Sequence, residues 1–215
     1  MRWGQNSMSK IISLDLDDFS VLNSRLDLLM TLKESYPKLK VSLFTIPYDY
    51  VYESNPAARI MRDKTLEAIK GQLDWIEIIP HGLVHFPREF EKCDYEGMKL
   101  AMKAIDEAFT KDGLPYVKGF KAPYWLWNEE VVKALDDEGW WGAIDKGAKL
   151  KTKRYFEYTH GIDGMFWEST LPVLKLHGHI TNESKNAIAR CYTSLFKMPS
   201  DAEFKFASEL LDEKT

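Results

Sequence analysis

The sequence predicts one α/β domain, a shortened or incomplete (β/α) barrel with six to seven parallel strands and an active site at the carboxyl ends of the strands. Short apolar runs alternate with longer amphipathic runs, which is typical of parallel strands joined by crossover helices. The 215 residues fit one domain, and a complete eight-fold barrel takes about 250. Reactive side chains follow the apolar runs, where parallel α/β folds build their sites. An open doubly wound sheet is the alternative, and the lack of a glycine-rich phosphate loop after the first strand disfavours it.

The first part of the chain contains three predicted strands and two predicted helices. Short apolar, β-rich runs indicate strands at Ile11–Leu16, Val41–Ile46 and Leu73–Ile79, and the last two are each followed by a proline. Apolar positions at 22, 26, 29, 30 and 32 predict a helix over Val21–Tyr36. A second helix over Ala57–Gly71 ends at its glycine.

The second part of the chain repeats this alternation. Strands are predicted at Tyr116–Lys121, Trp140–Ile144 and Pro172–Leu176, and helices at Tyr95–Lys111, Asn128–Glu138 and Ser200–Leu211. An Asp-Gly pair at 112–113 closes the first of these helices, and Gly139 stops the second. Asn128 and Ser200 are the predicted caps of the last two helices.

Composition narrows the class of protein. The formal net charge of −4 and the pI of about 5.8 give no basic surface for nucleic acid, so we expect no nucleic-acid partner. No apolar run approaches the ~20 residues that span a bilayer, and no apolar signal segment opens the sequence, so we expect a cytoplasmic protein without membrane contact. Cys93 and Cys191 read as reduced thiols. We expect a single domain over residues 1–215, with residues 1–8 disordered, and the oligomeric state stays open.

Four groups of reactive side chains follow four predicted strands. They are Asp17-Asp18, His81-Gly-Leu-Val-His85, Lys121-Ala-Pro-Tyr124 and His177-Gly-His179. Because the carboxyl ends of parallel strands meet at one edge, loops there converge on one mouth. We therefore expect these groups to form one site.

The histidines and aspartates indicate a metal site. His81 and His85 lie four apart, which places both rings on one face of a helical turn where they can bind one ion; alternatively, each caps or packs. Of Asp17 and Asp18, one carboxylate completes a three-ligand site and the other remains free to take a proton. The alternative is a helix N-terminal pair with Ser20 as cap. Asp15 is a weaker candidate for the same chemistry.

The last group supplies a candidate acid. His177 and His179 lie two apart, on the same side of an extended segment. An ordinary histidine pKa of about 6.5 suits proton donation near neutrality, so His177 is the candidate general acid. His160 falls in a predicted loop and is assigned no role.

The four groups together resemble the motifs of the polysaccharide deacetylases of carbohydrate esterase family 4, in the same order over about residues 11–180. The matching segments are Leu16-Asp17-Asp18-Phe19, His81-x-x-x-His85 followed by Pro87, Gly119-Phe-Lys-Ala-Pro-Tyr124, and Leu174-Lys-Leu-His177. The resemblance implies that Asp18, His81 and His85 hold one divalent ion, that Asp17 is the catalytic base and that His177 is the acid. It also implies that Tyr124 supplies a backbone donor to the oxyanion. Zinc is the first choice for this ligand set, with cobalt, nickel, iron and manganese fitting nearly as well.

The sequence departs from the family pattern at three places. Gly82 stands where the family has Ser or Thr, which removes a hydroxyl beside the ligands. Lys121 replaces the arginine that steadies the base, and a lysine offers a point charge instead of a planar fork. The fourth motif is not clear around Trp141–Asp145, although Asp145 could pair with Lys121. These changes indicate a divergent subfamily.

The function expected from the resemblance is hydrolysis of an N-acetyl or other N-acyl group on a carbohydrate or a related small amide. The substrate-binding candidates are Lys121, Pro123, Tyr124, Trp125 and Trp127. The two tryptophans could rim the cleft and stack on a sugar ring, or they could pack against the following helix. A non-catalytic carbohydrate-binding or scaffolding protein that kept the fold is the alternative function.

Overall fold

The computed structural model describes residues 10–22, 25–48, 56–162, 164–180, 193–197 and 201–213. The strands are β1 Ile11–Phe19, β2 Val41–Thr45, β3 Ile76–Pro80, β4 Gly119–Phe120, β5 Trp141–Ile144, β6 Arg154–Glu157, β7 His160–Gly161, β8 Val173–His179, β9 Glu203–Phe204 and β10 Asp212–Glu213. The α-helices are α1 Leu26–Ser35, α2 Pro56–Lys70, α3 Tyr95–Asp112 and α4 Glu129–Asp137. Short 3₁₀ turns span Pro123–Trp125, Phe166–Glu168 and Ala207–Glu209.

The strands form two sheets that curve into an unclosed barrel. The first has the order β3-β2-β1-β8-β7, with β9 also paired to β1, and the second has the order β10-β6-β5-β4. All these pairings are parallel except that of β10 with β6. A parallel bridge between His81 and Lys121 links β3 to the end of β4. The α/β class and the incomplete parallel barrel predicted from the sequence are confirmed.

Each central strand is buried on both faces, which explains why the strands read as nearly continuous apolar runs. On β1, Ile12, Leu14 and Leu16 belong to the large core that the helices cover. The alternate residues face the other way, toward a smaller cluster inside the barrel that includes Phe44 and Ile79. Asp15 and Asp17 are buried on that inner face. The polar chemistry of the protein therefore lies inside the barrel.

The predicted C-terminal helix over Ser200–Leu211 is wrong. Ser200 lies outside the described residues, and residues 201–213 form β9, a 3₁₀ turn and β10. Ala202 and Phe204 are buried while Glu203 is exposed, a two-residue alternation that places Phe204 beside Ile12 of β1. Pairing with an open stretch of β1 outweighs the helical propensity of this segment.

Other boundaries also differ from the prediction. Helix α1 begins at Leu26, not at Val21, so Ser20 cannot cap it and the reading of the two aspartates as a helix N-terminal pair is wrong. β1 continues to Phe19 and contains both aspartates. β6 and β7 escaped prediction because they are short and carry polar residues, and His160 lies in β7 instead of a loop.

Two further expectations from composition concern membrane-spanning helices and the state of the cysteines. Among the helices of the described ranges, none combines the length and apolar character needed to cross a bilayer. Cys93 is a free thiol, and Cys191 lies outside the described residues.

Candidate active site

A β-bulge turns two adjacent aspartates toward the same histidine. Neighbours in a regular strand face opposite sides, but the register between β1 and β2 shifts between Leu16 and Phe19. Asp18 has a φ of 63°, a left-handed conformation that is uncommon for residues other than glycine. As a result the carboxylates of Asp17 and Asp18 lie 3.7 Å and 3.4 Å from Nε2 of His81. The strained backbone of Asp18 brings both acids to one histidine.

Asp18, His81 and His85 form a three-residue group whose geometry suits a cation. Each offers one ligand atom, and these atoms lie within 4.8 Å of one another. Oδ1 of Asp18 is 3.0 Å from Nε2 of His85 and 3.4 Å from Nε2 of His81. The structure therefore brings together the three residues that the resemblance implies as ligands.

The protonation pattern of this group also fits a cation. Nδ1 of His81 is 3.1 Å from the carbonyl oxygen of Lys121, and since a carbonyl only accepts, Nδ1 carries the hydrogen. With that hydrogen on Nδ1, Nε2 of an uncharged ring would present a lone pair toward Asp18, 3.4 Å away. Oδ1 of Asp18 is buried and receives no well-aligned hydrogen bond from the described residues, although Nε2 of His85 lies 3.0 Å away. Two facing acceptors of this kind are satisfied by a positive ion between them.

The electrostatics of the group favour an ionised carboxylate. Burial acts to raise the pKa of Asp18, but the neighbouring imidazoles of His81 and His85 outweigh it and hold that pKa below its ordinary range. Burial acts to lower the pKa of His85, and the Asp18 carboxylate more than compensates, so the net shift is upward. A cation bound here would compete with the proton of His85, as is usual for histidine ligands.

His81 and His85 do not lie on a helical turn, which corrects the sequence-based expectation. Residues 82–85 form a loop in which Gly82 and His85 have φ values of 66° and 60°. The amides of residues 83–85 donate to the side chain of Glu89 and not to a helical carbonyl. The two rings nevertheless approach, with centroids 4.8 Å apart.

Lys121 connects the candidate base to the candidate acid. Its side chain is 1% exposed, and Nζ donates to Oδ1 of Asp17 at 2.7 Å, to the hydroxyl of Tyr158 at 3.1 Å and to Nδ1 of His177 at 3.0 Å. The expected pairing with Asp145 is wrong, because that exposed carboxylate accepts from the amide of Lys146. The ammonium of Lys121 therefore orients both Asp17 and His177.

A second histidine-containing group lies beside the first. Asp17, His177 and His179 also place ligand atoms within 4.8 Å of one another. The ammonium of Lys121, however, binds both Asp17 and His177. Because a positive charge is already present between them, this second group is a poor site for a further cation.

His177 is held in one tautomer inside the barrel. Burial and the charge of Lys121 lower the pKa of His177 to about 3. Since an ammonium only donates, Nδ1 accepts from Lys121 and the ring proton lies on Nε2. Oδ1 of Asp15 lies 3.5 Å from Nδ1 and has no hydrogen-bond partner among the described residues.

Asp15 and Tyr158 form the floor of the site, and sequence reasoning missed the tyrosine. Burial raises the pKa of Asp15 to about 6. The hydroxyl of Tyr158 donates to Oδ2 of Asp15 and accepts from Lys121. Tyr158 follows β6, a strand that was not predicted, so its position at a strand end gave no usable signal. The presence of Asp15 at the site could be predicted from the sequence, because alternate residues of a strand share a face and Asp15 therefore lies on the face of Asp17.

Residues 123–127 follow β4, and their side chains lie partly at the site and partly in the core. Tyr124 is 56% exposed, and its ring centroid is 5.7 Å from that of His85. The ring of Trp125 lies 4.2 Å from Nζ of Lys121 and 5.1 Å from the ring of His177. Pro123 is buried and occupies the space beside Gly82 that a Cβ there would need. Trp127 stacks on Phe120 of β4 and packs against the core, whereas the alternative from the sequence was packing against the following helix.

The sequence matches no protein-family model and no curated protein. Solved structures with the same fold do exist. The chitin deacetylase of the fungal pathogen Colletotrichum lindemuthianum superposes with a TM-score of 0.64 at 12% identity, covering 94% of this chain and 88% of that one. A family 4 pseudoenzyme from Bacillus anthracis gives 0.64 at 15% identity over 95% of this chain and 66% of that one. The family 4 esterase domain of a multidomain xylanase from the hindgut metagenome of Trinervitermes trinervoides gives 0.57 at 16% identity, over 94% and 89%.

These similarities extend over nearly the whole chain at low sequence identity. They include a chitin deacetylase and a protein described as a pseudoenzyme, so they establish the architecture, and the chemistry has to be argued from the residues themselves. The chain therefore has the fold of the solved carbohydrate esterase family 4 structures.

Proposed function

We propose that the protein is a metal-dependent hydrolase that removes an N-acetyl or other N-acyl group from a carbohydrate or a related small amide. The observation that carries the proposal is the facing pair of acceptor atoms on Asp18 and His81, with His85 completing a three-ligand group beside them. Three protein ligands leave positions for water and substrate, which is the arrangement of a catalytic site. Zinc remains the first choice of ion, and cobalt, nickel, iron and manganese suit the same ligands.

An ion held by these residues would polarise the acyl carbonyl and lower the pKa of a water molecule toward neutrality. Asp17 would act as the base. Its Oδ1 is bound by Lys121 at 2.7 Å, whereas its Oδ2 faces Nε2 of His81 at 3.7 Å. The carboxylate is thus anchored on one oxygen and turned toward the metal group with the other.

His177 would pass a proton to the departing amine. Its pKa of about 3 differs from the ordinary value expected from the sequence, so the ring is neutral and must take up a proton at Nδ1 as it releases the one at Nε2. Its Nε2 carries the ring proton, and loss of that proton can be made good at Nδ1 by Lys121, 3.0 Å away. Lys121 can in turn recover a proton from Asp17, its other partner. The replacement of the family's arginine by lysine is compatible with activity in this scheme, because an ammonium gives up a proton far more readily than a guanidinium.

The surroundings of the site support the proposed substrate class. Trp125 lies against Lys121 and His177, and the exposed ring of Tyr124 lies beside His85. Aromatic faces next to the reacting groups favour a sugar or another ligand with an apolar face. The backbone-donor role of Tyr124, the sugar-stacking roles of the tryptophans and a cytoplasmic location remain predictions.

Acetate release from N-acetylated sugars and small N-acetyl amides tests the proposal. We expect turnover by the metal-loaded wild type, and a loss of about 100-fold or more in Asp17→Asn, as is typical when a general base is removed. Asp17→Asn should still bind metal, because Asp17 is not among the three ligands. Asp145→Asn is the matched control, since Asp145 is an exposed aspartate outside the cluster. Metal binding without turnover on any of these substrates would favour the alternative, a carbohydrate-binding protein.

A further inference from the structure

The loop that carries both metal-group histidines is organised around one carboxylate, Glu89. Oε1 of Glu89 accepts from the amides of Leu83 at 3.2 Å and Val84 at 3.1 Å, and Oε2 accepts from the amide of His85 at 3.1 Å. Three consecutive amides thus converge on one side chain four to six residues further along the chain. Concave groups of backbone N–H donors of this kind bind anions strongly.

The backbone of this loop needs such a partner. Gly82, His85 and Arg88 all have φ values between 60° and 66°, and the last two are not glycines. A left-handed conformation in such residues costs on the order of 1 kcal/mol or more and persists only where the surroundings impose it. The hydrogen bonds to Glu89 supply that constraint at His85, the ligand at the far end of the loop.

Glu89 is itself fixed to the core. The next residue, Phe90, is 2% exposed, and its ring is 4.9 Å from that of Phe120 in an edge-to-face contact. Phe90 also bridges to Trp127. The carboxylate that binds the loop therefore projects from a rigid part of the molecule.

Glu89 also accounts for the glycine at position 82. A Cβ at Gly82 would lie 2.7 Å from Oε2 of Glu89 and 2.6 Å from Cγ of Pro123. Both distances are shorter than real Cβ contacts allow, so the carboxylate occupies the space that a side chain at 82 would need. The hydroxyl that the resembling family places beside its ligands is absent here, and a carboxylate from further along the loop fills the same space.

We propose that Glu89 is a positioning residue that holds the backbone of His85 so that its Nε2 meets Asp18 in cation-binding geometry. This inference rests on the proposed metal site. Through its hydrogen bond at the His85 amide, Glu89 sets the direction of a ring whose Nε2 lies 3.0 Å from Oδ1 of Asp18. The role is distinct from catalysis, because Glu89 touches neither the ligand atoms nor Asp17 in the described contacts.

The test is the dissociation constant of the metal-free protein for Zn²⁺, measured by competition with a chelating dye, in wild type, Glu89→Gln and Glu89→Asp. Gln keeps the shape but replaces one acceptor by a donor facing an amide, and Asp keeps the charge but withdraws the carboxylate by one methylene. We expect each to weaken Zn²⁺ binding by about 10- to 100-fold, the usual effect of losing a residue that orients a ligand. Glu91→Gln is the matched control, since Glu91 is on the same segment and pairs with Arg88 at the surface; it should bind as wild type does.

The outcomes separate this inference from the proposed function. Zn²⁺ binding by Glu89→Gln and Glu89→Asp within about twofold of wild type would overturn the positioning role, even if their thermal stability fell. If Glu89→Gln does not fold, Glu89→Asp alone makes the same comparison. Absence of Zn²⁺ binding by the wild type would refute the metal site itself, and the role of Glu89 with it.

Discussion

Replacing Lys121 by methionine is the most informative single perturbation of the buried charge cluster. Methionine keeps most of the side-chain volume that packs against Trp125 and Phe44, but it removes the ammonium 2.7 Å from Asp17 and 3.7 Å from Asp15. Removing one partner of a buried ion pair costs about 3–5 kcal/mol, because the other charge is left buried without compensation. We expect the free energy of unfolding to fall by about that amount at neutral pH, a large share of the roughly 5–15 kcal/mol of a typical domain.

Urea denaturation of metal-free wild type and Lys121→Met at pH 7 and pH 5 measures this loss. Burial already raises the pKa of Asp15 to about 6 while Lys121 acts to lower it, so removing Lys121 raises it further. A group whose pKa is raised in the folded state contributes stability at low pH and loses that contribution as pH rises through the folded pKa. The loss of unfolding free energy caused by Lys121→Met should therefore be smaller at pH 5 than at pH 7.

Lys133→Met is the matched control for this experiment. Lys133 pairs with Asp137 at 2.8 Å on the exposed face of α4, where solvent screens the interaction. It should change stability far less than Lys121→Met. An equal effect of the two substitutions, or a Lys121→Met deficit that grows as pH falls, would refute the view that the lysine compensates buried carboxylates.

Three further substitutions test other parts of the structure. Gly82→Ala should lower the unfolding temperature more than Gly147→Ala, because both glycines have positive φ but only Gly82 meets neighbouring atoms within 3 Å of an added Cβ; equal effects would argue against the crowding at Glu89 and Pro123. Trp127→Ala should mainly reduce stability, since its ring packs on Phe120, whereas Trp125→Ala should mainly raise KM for a sugar substrate; the reverse pattern in denaturation and steady-state kinetics would contradict the assigned placements. Phe204→Ala should cost about 3 kcal/mol in denaturant unfolding, because Phe204 joins the core beside Ile12, and a negligible loss would show that β9 contributes little.

The helices and strands that were predicted correctly are those with clear local patterns of apolar residues, caps and glycines. Each of the six predicted strands overlaps an observed strand, and the helices capped by Asn128 and closed at Gly113 lie where expected. The convergence of Asp18, His81 and His85 was also predictable, because parallel strands bring their carboxyl ends to one edge. The pattern of apolar residues along the chain and the parallel direction of the strands were enough to predict these features.

The remaining features depend on contacts between distant residues. The conformation of Asp18 arises from a register shift between β1 and β2, which one strand read alone does not reveal. Tyr158 and Glu89 act through partners brought to them by the fold. The terminal segment at Phe204 forms a strand because β1 offers it an unpaired edge, and propensity alone favoured a helix there.

The metal content of the purified protein tests the central claim most directly. After equilibrium dialysis against Zn²⁺, elemental analysis should find about one ion per chain in the wild type and in Asp17→Asn, and markedly less in Asp18→Asn, with circular dichroism unchanged in all three. Wild-type protein that retains no divalent ion, or Asp18→Asn that retains it as tightly as the wild type, would contradict the assignment of Asp18, His81 and His85 as the ligands.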